Sequence, residues 1–128
     1  MKKLISIILI LALLIPSFAF AVKDNDFIGT WVNVIGDDTK YITVIVLTPD
    51  YICYCSVTTI NSDGSAGFSR THVGKWYTKA TTYGTRIHME TGENTSMNAK
   101  LYGDFLAIIS DYSDDIIDYY GKVAERFW

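Results

Sequence analysis

Short stretches of alternating apolar and polar side chains follow one another along most of the chain, and each ends at a turn signal. Such alternation predicts β-strands, because successive side chains of a strand point to opposite faces. Gly, Asn, Asp and Pro separate the stretches at intervals of roughly 8–12 residues, and we find no convincing helical period. The pattern predicts about eight strands, at 27–35, 40–48, 51–60, 68–78, 84–90, 95–102, 105–110 and 116–123.

The short connections between these stretches favour antiparallel pairing of consecutive strands. A long meander has exposed edges, and closing it into a barrel removes them. We therefore expect an all-β fold, an antiparallel up-and-down β-barrel of about eight strands that forms one domain over residues 22–128. Eight strands enclose an interior that side chains just fill, or that is just wide enough for one small ligand.

Alternation also predicts which side chains point into the barrel. Lys75 and Asp118 are expected to face water, which places Trp76 and Tyr119 inside. The stretch 40–48 is apolar on both faces, so alternation does not orient it. The side chains expected inside are Phe68, Arg70, His72, Gly74, Trp76, Ile87, Met89, Met97, Ala99, Leu101, Ile117, Tyr119, Gly121 and Val123.

The N-terminus has the pattern of a secretory signal peptide. Lys2 and Lys3 precede an apolar run that ends in the small-residue motif Ala19-Phe20-Ala21, so we predict a signal peptide at 1–21, cleaved after Ala21. A membrane anchor is the alternative, but Pro16 interrupts the apolar run short of the roughly 20 residues that a spanning helix needs. We expect an exported protein, periplasmic or extracellular, with no membrane span after cleavage.

The charge of the chain narrows the class of partner. The formal net charge is −3, and loss of Lys2 and Lys3 with the leader makes the mature chain more acidic. Nucleic-acid binding needs clustered Lys and Arg, and the sequence has no basic run. The expected partners are therefore a small apolar ligand or an envelope protein, and not a nucleic acid.

The two cysteines, Cys53 and Cys55, stand two residues apart in a predicted strand. Residues at this spacing are about 6.5 Å apart with parallel side chains, whereas a disulfide needs Cβ atoms about 3.8 Å apart. We predict two reduced thiols packed as small apolar groups. Pairing between chains, or a local bulge that permits a strained bond, are the alternatives.

The first strand carries Gly29-Thr30-Trp31, and the hairpin signal Gly103-Asp104 precedes the penultimate strand. Together with the meander, this resembles the lipocalin (calycin) pattern, in particular the small, helix-poor lipocalin-like proteins that bacteria export. The resemblance implies that Trp31 caps the closed end of the barrel. It also implies that a basic residue near the end of the chain, Lys122 or Arg126, lies across the indole.

The segment 29–36 is also similar to the first strand of avidin-type biotin binders. That resemblance implies a role for Asn33 in holding the ureido group of a ligand. The tryptophans that those proteins place over biotin have no counterparts further along the chain, so the sequence argues against biotin as the ligand.

Motifs for catalysis and for metal binding are missing from the sequence. We find no G-x-S-x-G, H-E-x-x-H or phosphate-binding loop, and we expect neither an enzyme nor a cofactor. His72, His88 and the two cysteines are potential zinc ligands, but alternation assigns the two histidines to opposite faces. The acidic loop 111–115 lacks the spacing of an EF-hand and is expected to be solvated.

Three Trp, nine Tyr and six Phe would suit an apolar pocket with a few polar groups. The leading hypothesis is an exported, lipocalin-like, non-enzymatic protein that binds a small apolar or amphipathic ligand in the barrel. The alternative is a protein-interaction module with a filled barrel, such as a periplasmic inhibitor or an envelope-assembly factor. The side chains predicted to line the ligand site are Trp31, Phe68, His72, Trp76, Met89, Met97 and Tyr119.

Overall fold

The computed structural model describes residues 24–123, and the predicted leader and the tail 124–128 lie outside them. In chain order the elements are the one-turn helix α1 (Asp24–Phe27) and the strands β1 (Gly29–Ile35), β2 (Lys40–Leu47), β3 (Ile52–Ile60), β4 (Ala66–Thr81), β5 (Gly84–Gly92), β6 (Thr95–Tyr102), β7 (Phe105–Ile109) and β8 (Ile116–Lys122). Each strand is antiparallel to its neighbours, and the order β1 to β8 closes into a barrel. The predicted fold class is confirmed. None of the described residues belongs to a helix long and apolar enough to cross a membrane.

The barrel closes between its first and last strands, and this seam has the shortest ladder. β1 and β8 pair only at Trp31 with Lys122 and at Val32 with Gly121. By contrast, β1 pairs with β2 along its whole length. One more backbone hydrogen bond, from the Val123 N–H to the carbonyl of Thr30 at 2.9 Å, extends the seam downward. Closure therefore depends on side chains as well as on the ladder.

The connections divide between the two ends of the barrel. At the lower end, where Trp31 lies, are α1 and the turns at 48–51, 82–83 and 103–104. At the other end, which we call the mouth, are the turns and loops at 36–39, 61–65, 93–94 and 110–115. The two ends differ, because the apolar core reaches the lower end while the mouth carries the longer loops.

One contiguous apolar cluster fills the lower and middle parts of the interior. The indoles of Trp31 and Trp76 lie in it and also satisfy their N–H groups: Trp31 donates to the carbonyl of Phe27 at 2.9 Å, and Trp76 donates to that of Thr48 at 3.0 Å. Buried indole N–H groups usually need such a partner. The buried members are Phe27, Trp31, Ile45, Leu47, Cys53, Cys55, Trp76, Ile87, Met89, Ala99, Leu106, Ile108 and Tyr120.

The predicted faces are confirmed for the middle strands and wrong for the last one. Trp76, Ile87 and Ala99 point inward as expected, and Met97 packs against the core. In β8 the inward side chains are those of Asp118 and Tyr120, so the expected set Ile117, Tyr119, Gly121 and Val123 lies on the outer side. The prediction assumed that a charged residue faces water, but the carboxylate of Asp118 has a hydrogen-bond donor inside the barrel.

Candidate functional site

Four of the seven side chains predicted to line a ligand site are packed into the core. Trp31 is 2% exposed, Trp76 1% and Met89 0%, and Met97 packs against the same cluster. Side chains so completely covered by neighbouring residues leave no surface for a ligand. The centre of the barrel is therefore filled, which is one of the two states open to an eight-stranded barrel.

The other three predicted side chains lie outside the centre. His72 is half-buried at the mouth, and Phe68, 54% exposed, lies above it on the rim. Tyr119 is on the outer wall, where its ring lies 6.0 Å from that of Tyr102 and 6.1 Å from that of Phe105. The predicted inward orientation of Tyr119 is wrong, because Asp118 occupies the inner face of β8.

The mouth opens on one side because β4 and β5 separate. Their ladder ends at the pair of Trp76 with Met89. Just above it, the carboxylate of Glu90 accepts a hydrogen bond from the backbone N–H of Lys75 at 3.1 Å, in place of a backbone carbonyl. Gly74 permits this crossing, since a Cβ there would lie 2.6 Å from both the Cβ and the carbonyl oxygen of Glu90. Above this point β4 pairs with β3 alone.

A cleft of about 360 Å³ lies in this opening. Cys55 and Val57 of β3 line it on one side, and the 91–95 hairpin lines it on the other. Arg70 and His72 of β4 project along its wall, and within residues 24–123 neither side chain forms an ion pair or a hydrogen bond. The mouth therefore offers two unpartnered nitrogen-bearing side chains beside a partly apolar wall.

A polar layer separates the core from the mouth. Asn33 donates through Nδ2 to the Asp118 carboxylate and to the Tyr119 carbonyl, both at 2.9 Å. Tyr120, on β8 with Asp118, is buried, and burial is the main cause that raises the pKa of its hydroxyl to about 12. Both amide hydrogens of Asn33 are used within the seam, so this side chain closes the barrel rather than offering donors to a ligand.

The two cysteines are free and point into the core, as predicted from their spacing. Burial, followed by the neighbouring Cys55 and Glu90 charges, raises the pKa of Cys53 to about 12. Burial also raises the pKa of Cys55. Since the thiolate is the nucleophilic form, burial favours the less reactive thiol form of both groups.

The 110–115 loop folds back over the outer wall of β5 and β6, which the sequence did not reveal. Asp114 accepts hydrogen bonds from Arg86 at 2.8 Å and from Lys100 at 2.7 Å. The Lys100 hydrogen bond is the largest cause that lowers the pKa of this carboxyl, and Arg86 adds to it. Asp111 accepts from Asn98 at 3.0 Å. Alternation places Arg86 and Lys100 outside on neighbouring strands, but nothing in it identifies their partner.

The histidines and acidic groups do not converge on a metal. His88 lies on the outer wall, with Nδ1 2.8 Å from the Asn98 amide oxygen and its ring 5.2 Å from that of Tyr77. His72 lies at the mouth, on the face expected from alternation. Within the described part of the chain, no three His, Cys, Asp or Glu side chains come close enough together to hold a metal ion.

No protein-family model, curated protein or solved structure matches the chain. The lipocalin-like resemblance of the first strand therefore stays a prediction. One geometric implication of it is observed: the Lys122 ammonium lies over the Trp31 ring, 5.3 Å from the centroid. Arg126, the other basic residue considered for this place, lies outside the described residues.

Proposed function

We propose that the protein is an exported, non-enzymatic protein-interaction module, a solid barrel that presents its mouth to a partner protein. The filled interior carries this proposal. The residues best placed for a central ligand are at most 2% exposed; they are Trp31, Trp76 and Met89. A barrel without central space has its binding surface on its ends and walls.

The rim of the mouth supports docking of a protein. Phe68 and Val73 of β4 are more than half exposed, and Tyr41 is nearly half exposed at the mouth end of β2. Exposed large apolar side chains next to a charged residue such as Arg70 are typical of interaction surfaces, where aromatic residues and Arg are enriched. Export is part of the proposal and rests on the leader pattern ending at Ala21.

Site-specific photocrosslinking in cells that produce the protein naturally tests this proposal. A benzophenone amino acid replaces Phe68 at the mouth, and in a matched control it replaces Tyr83, which is 68% exposed at the lower end. We expect one discrete polypeptide adduct from position 68 and none from position 83. No polypeptide adduct at position 68, or the same adducts from both positions, would contradict the proposal.

A small-ligand site confined to the mouth is the second candidate, favoured by the cleft of about 360 Å³. That volume lies at the low end of the roughly 300–1,000 Å³ of small-molecule sites. Arg70 and the apolar Val57 would suit an amphipathic anion. Decanoate is a suitable probe: a saturable NMR shift at Val57 and His72 that Arg70→Ala abolishes would favour this candidate, and unchanged spectra would exclude this class of ligand.

A further inference from the structure

Among residues 24–123, the upper half of β4 is paired on one side only, so its other side is an open strand edge. β3 pairs with β4 from Ala66 to Lys75, whereas β5 pairs only with Trp76–Thr81. Unpaired strand edges are templates for pairing with another chain. We propose that this edge binds an extended segment of the partner protein by β-strand addition, an inference that rests on the interaction function proposed above.

The directions of the backbone groups identify which residues form the edge. The N–H groups of Trp76 and Phe68 both donate toward the β3 side, whereas that of Lys75 donates to Glu90 on the β5 side. Directions alternate along a strand. Three residues lie above the last bond to β5 and have N–H and C=O groups that point away from β3. They are Ser69, Thr71 and Val73.

These three residues are exposed. A strand added to them would form an antiparallel or parallel ladder with up to six backbone groups of β4. Glu90 ends the intramolecular ladder just below, because its carboxylate takes the N–H of Lys75. The bulge between Glu90 and Gly92 then turns β5 away into its hairpin. The edge is thus left open by specific local features of β4 and β5.

The space beside the edge suits an extended chain. The inner cleft of about 360 Å³, lined by Arg70 and His72, lies on the mouth side of the gap. A second cleft of about 450 Å³, lined by Val73 and Glu90, opens outward at the same gap. Alternate side chains of an inserted strand point to opposite faces, so they would enter the two clefts in turn.

The charges around the gap indicate the partner's chemistry. Arg70 projects inward without a partner among the described residues, and a carboxylate directly opposite would form a cross-strand pair with it. Glu93 lines both clefts on the side of the 91–95 hairpin, and its negative charge would repel a second carboxylate there. The carboxylate of the partner is therefore expected on the β4 side, next to Arg70. Opposite Thr71 and Val73, on the outer face, β-branched or aromatic residues fit best. The partner segment therefore carries Asp or Glu at an inward position between outward apolar residues.

A display library of random linear peptides, selected on the mature protein, provides the probe. We expect the enriched peptides to carry Asp or Glu at one position, with β-branched or aromatic residues at the positions on either side. Thr71→Pro removes one edge N–H without breaking a backbone bond to β3, and edge strands tolerate proline. It also loses the hydrogen bond from the Thr71 hydroxyl to Oγ of Ser56 on β3 (3.2 Å), which Thr71→Ala loses equally. The proline variant should weaken the best peptide about tenfold, roughly one backbone hydrogen bond. The matched Thr71→Ala keeps the N–H and should bind as the wild type does.

Two further measurements keep the outcome decisive if Thr71→Pro fails to fold. Alternate N–H groups of a bound strand point toward β4 and away from it. Methylating the peptide nitrogens that face β4 should abolish binding, whereas methylating the others should not affect it. Arg70→Glu should lose the acidic peptide and bind a version with Lys in place of the carboxylate. Equal binding to Thr71→Pro and Thr71→Ala, insensitivity to N-methylation, or a library that yields no binder would overturn the proposal.

The crosslink at position 68, measured in Thr71→Pro, distinguishes binding at the β4 edge from binding elsewhere at the mouth. If the Phe68 crosslink persists in Thr71→Pro, the interaction function stands and the edge proposal fails. If no polypeptide crosslinks at Phe68 at all, the interaction function itself fails. Sedimentation tests whether the edge pairs with a second copy of this chain. If the wild type is a dimer and Thr71→Pro is a monomer, the edge binds another copy and the proposed partner is wrong.

Discussion

The ammonium of Lys122 lies 5.3 Å from the ring centroid of Trp31, and the two residues are directly paired across the seam of β1 and β8. The pair joins the last strand to the first at the lower end, and it is one of only two residue pairs in the ladder between β1 and β8. Gly29 makes room for it, because a Cβ there would lie 2.8 Å from Cε of Lys122, and its φ of +142° disfavours other residues. Seam closure is thus a property of side chains and not only of backbone pairing.

Removing the charge over the indole should weaken the seam. We expect Lys122→Met to lower the free energy of unfolding by about 0.5–1 kcal/mol, the range for an exposed cation–π contact. Lys122→Arg keeps a cation over the ring and should stay close to the wild type. Urea unfolding followed by tryptophan fluorescence measures both, and equal stability of the Met and Arg variants would show that the contact is energetically silent.

Asn33 should be the more important seam residue, since its amide donates to both Asp118 and the Tyr119 carbonyl. Asn33→Ala removes both of these hydrogen bonds and, among the described residues, leaves Asp118 Oδ1 with only the Tyr119 N–H as donor, a loss of about 1–3 kcal/mol when the site is shielded from water. Val34→Ala, on the exposed outer face of the same strand, is the control and should change stability by about 0.5 kcal/mol or less. Chemical denaturation compares the two, and similar losses would refute the role given to Asn33.

The buried thiols should resist modification in the folded state. We expect an aromatic disulfide reagent at pH 8 to leave Cys53 and Cys55 unmodified in native protein and to react with both in urea. The folded pKa of Cys53, about 12, lies above its unfolded value of 9.0. Its contribution to stability is therefore full below pH 9 and decreases as the pH rises toward 12. Rapid reaction of the native protein would contradict this burial.

Asp114 should make the anchoring of the 110–115 loop sensitive to acid. Lys100 and Arg86 lower its folded pKa below the unfolded value of 3.8, so its contribution is present above pH 3.8 and is lost as the pH falls through the folded pKa. The melting temperature of Asp114→Asn should lie below that of the wild type at pH 7, and the difference should vanish in strong acid. Asp37→Asn, in an exposed turn, is the control. A pH-independent difference would rule out the charge interaction.

Sequence periodicity predicted the architecture because each strand carries its own alternation and turn. It succeeded at Trp76 and Met89, where outward polar neighbours define the buried face. It failed on β8, where the amide of Asn33, distant in sequence, keeps Asp118 inside. A pattern read along one strand does not contain the distant partner of an inward-facing charge.

The proposed binding surface was less predictable than the fold. Alternation placed His72 on the inner face correctly, but it did not reveal how far β4 rises above β5. That height follows from Glu90 taking the N–H of Lys75 and from the close approach at Gly74. These are tertiary contacts between strands, and none of the three residues carries a local signal for them.

The filled interior is tested most directly by native mass spectrometry of the protein without its predicted leader, after exposure to a bacterial lipid extract. A filled core predicts the mass of the bare polypeptide, with unchanged emission from Trp31 and Trp76, because these indoles are only 2% and 1% exposed. A stoichiometric small-molecule adduct that survives gentle desolvation and alters that emission would contradict it, and would return the barrel centre to ligand binding.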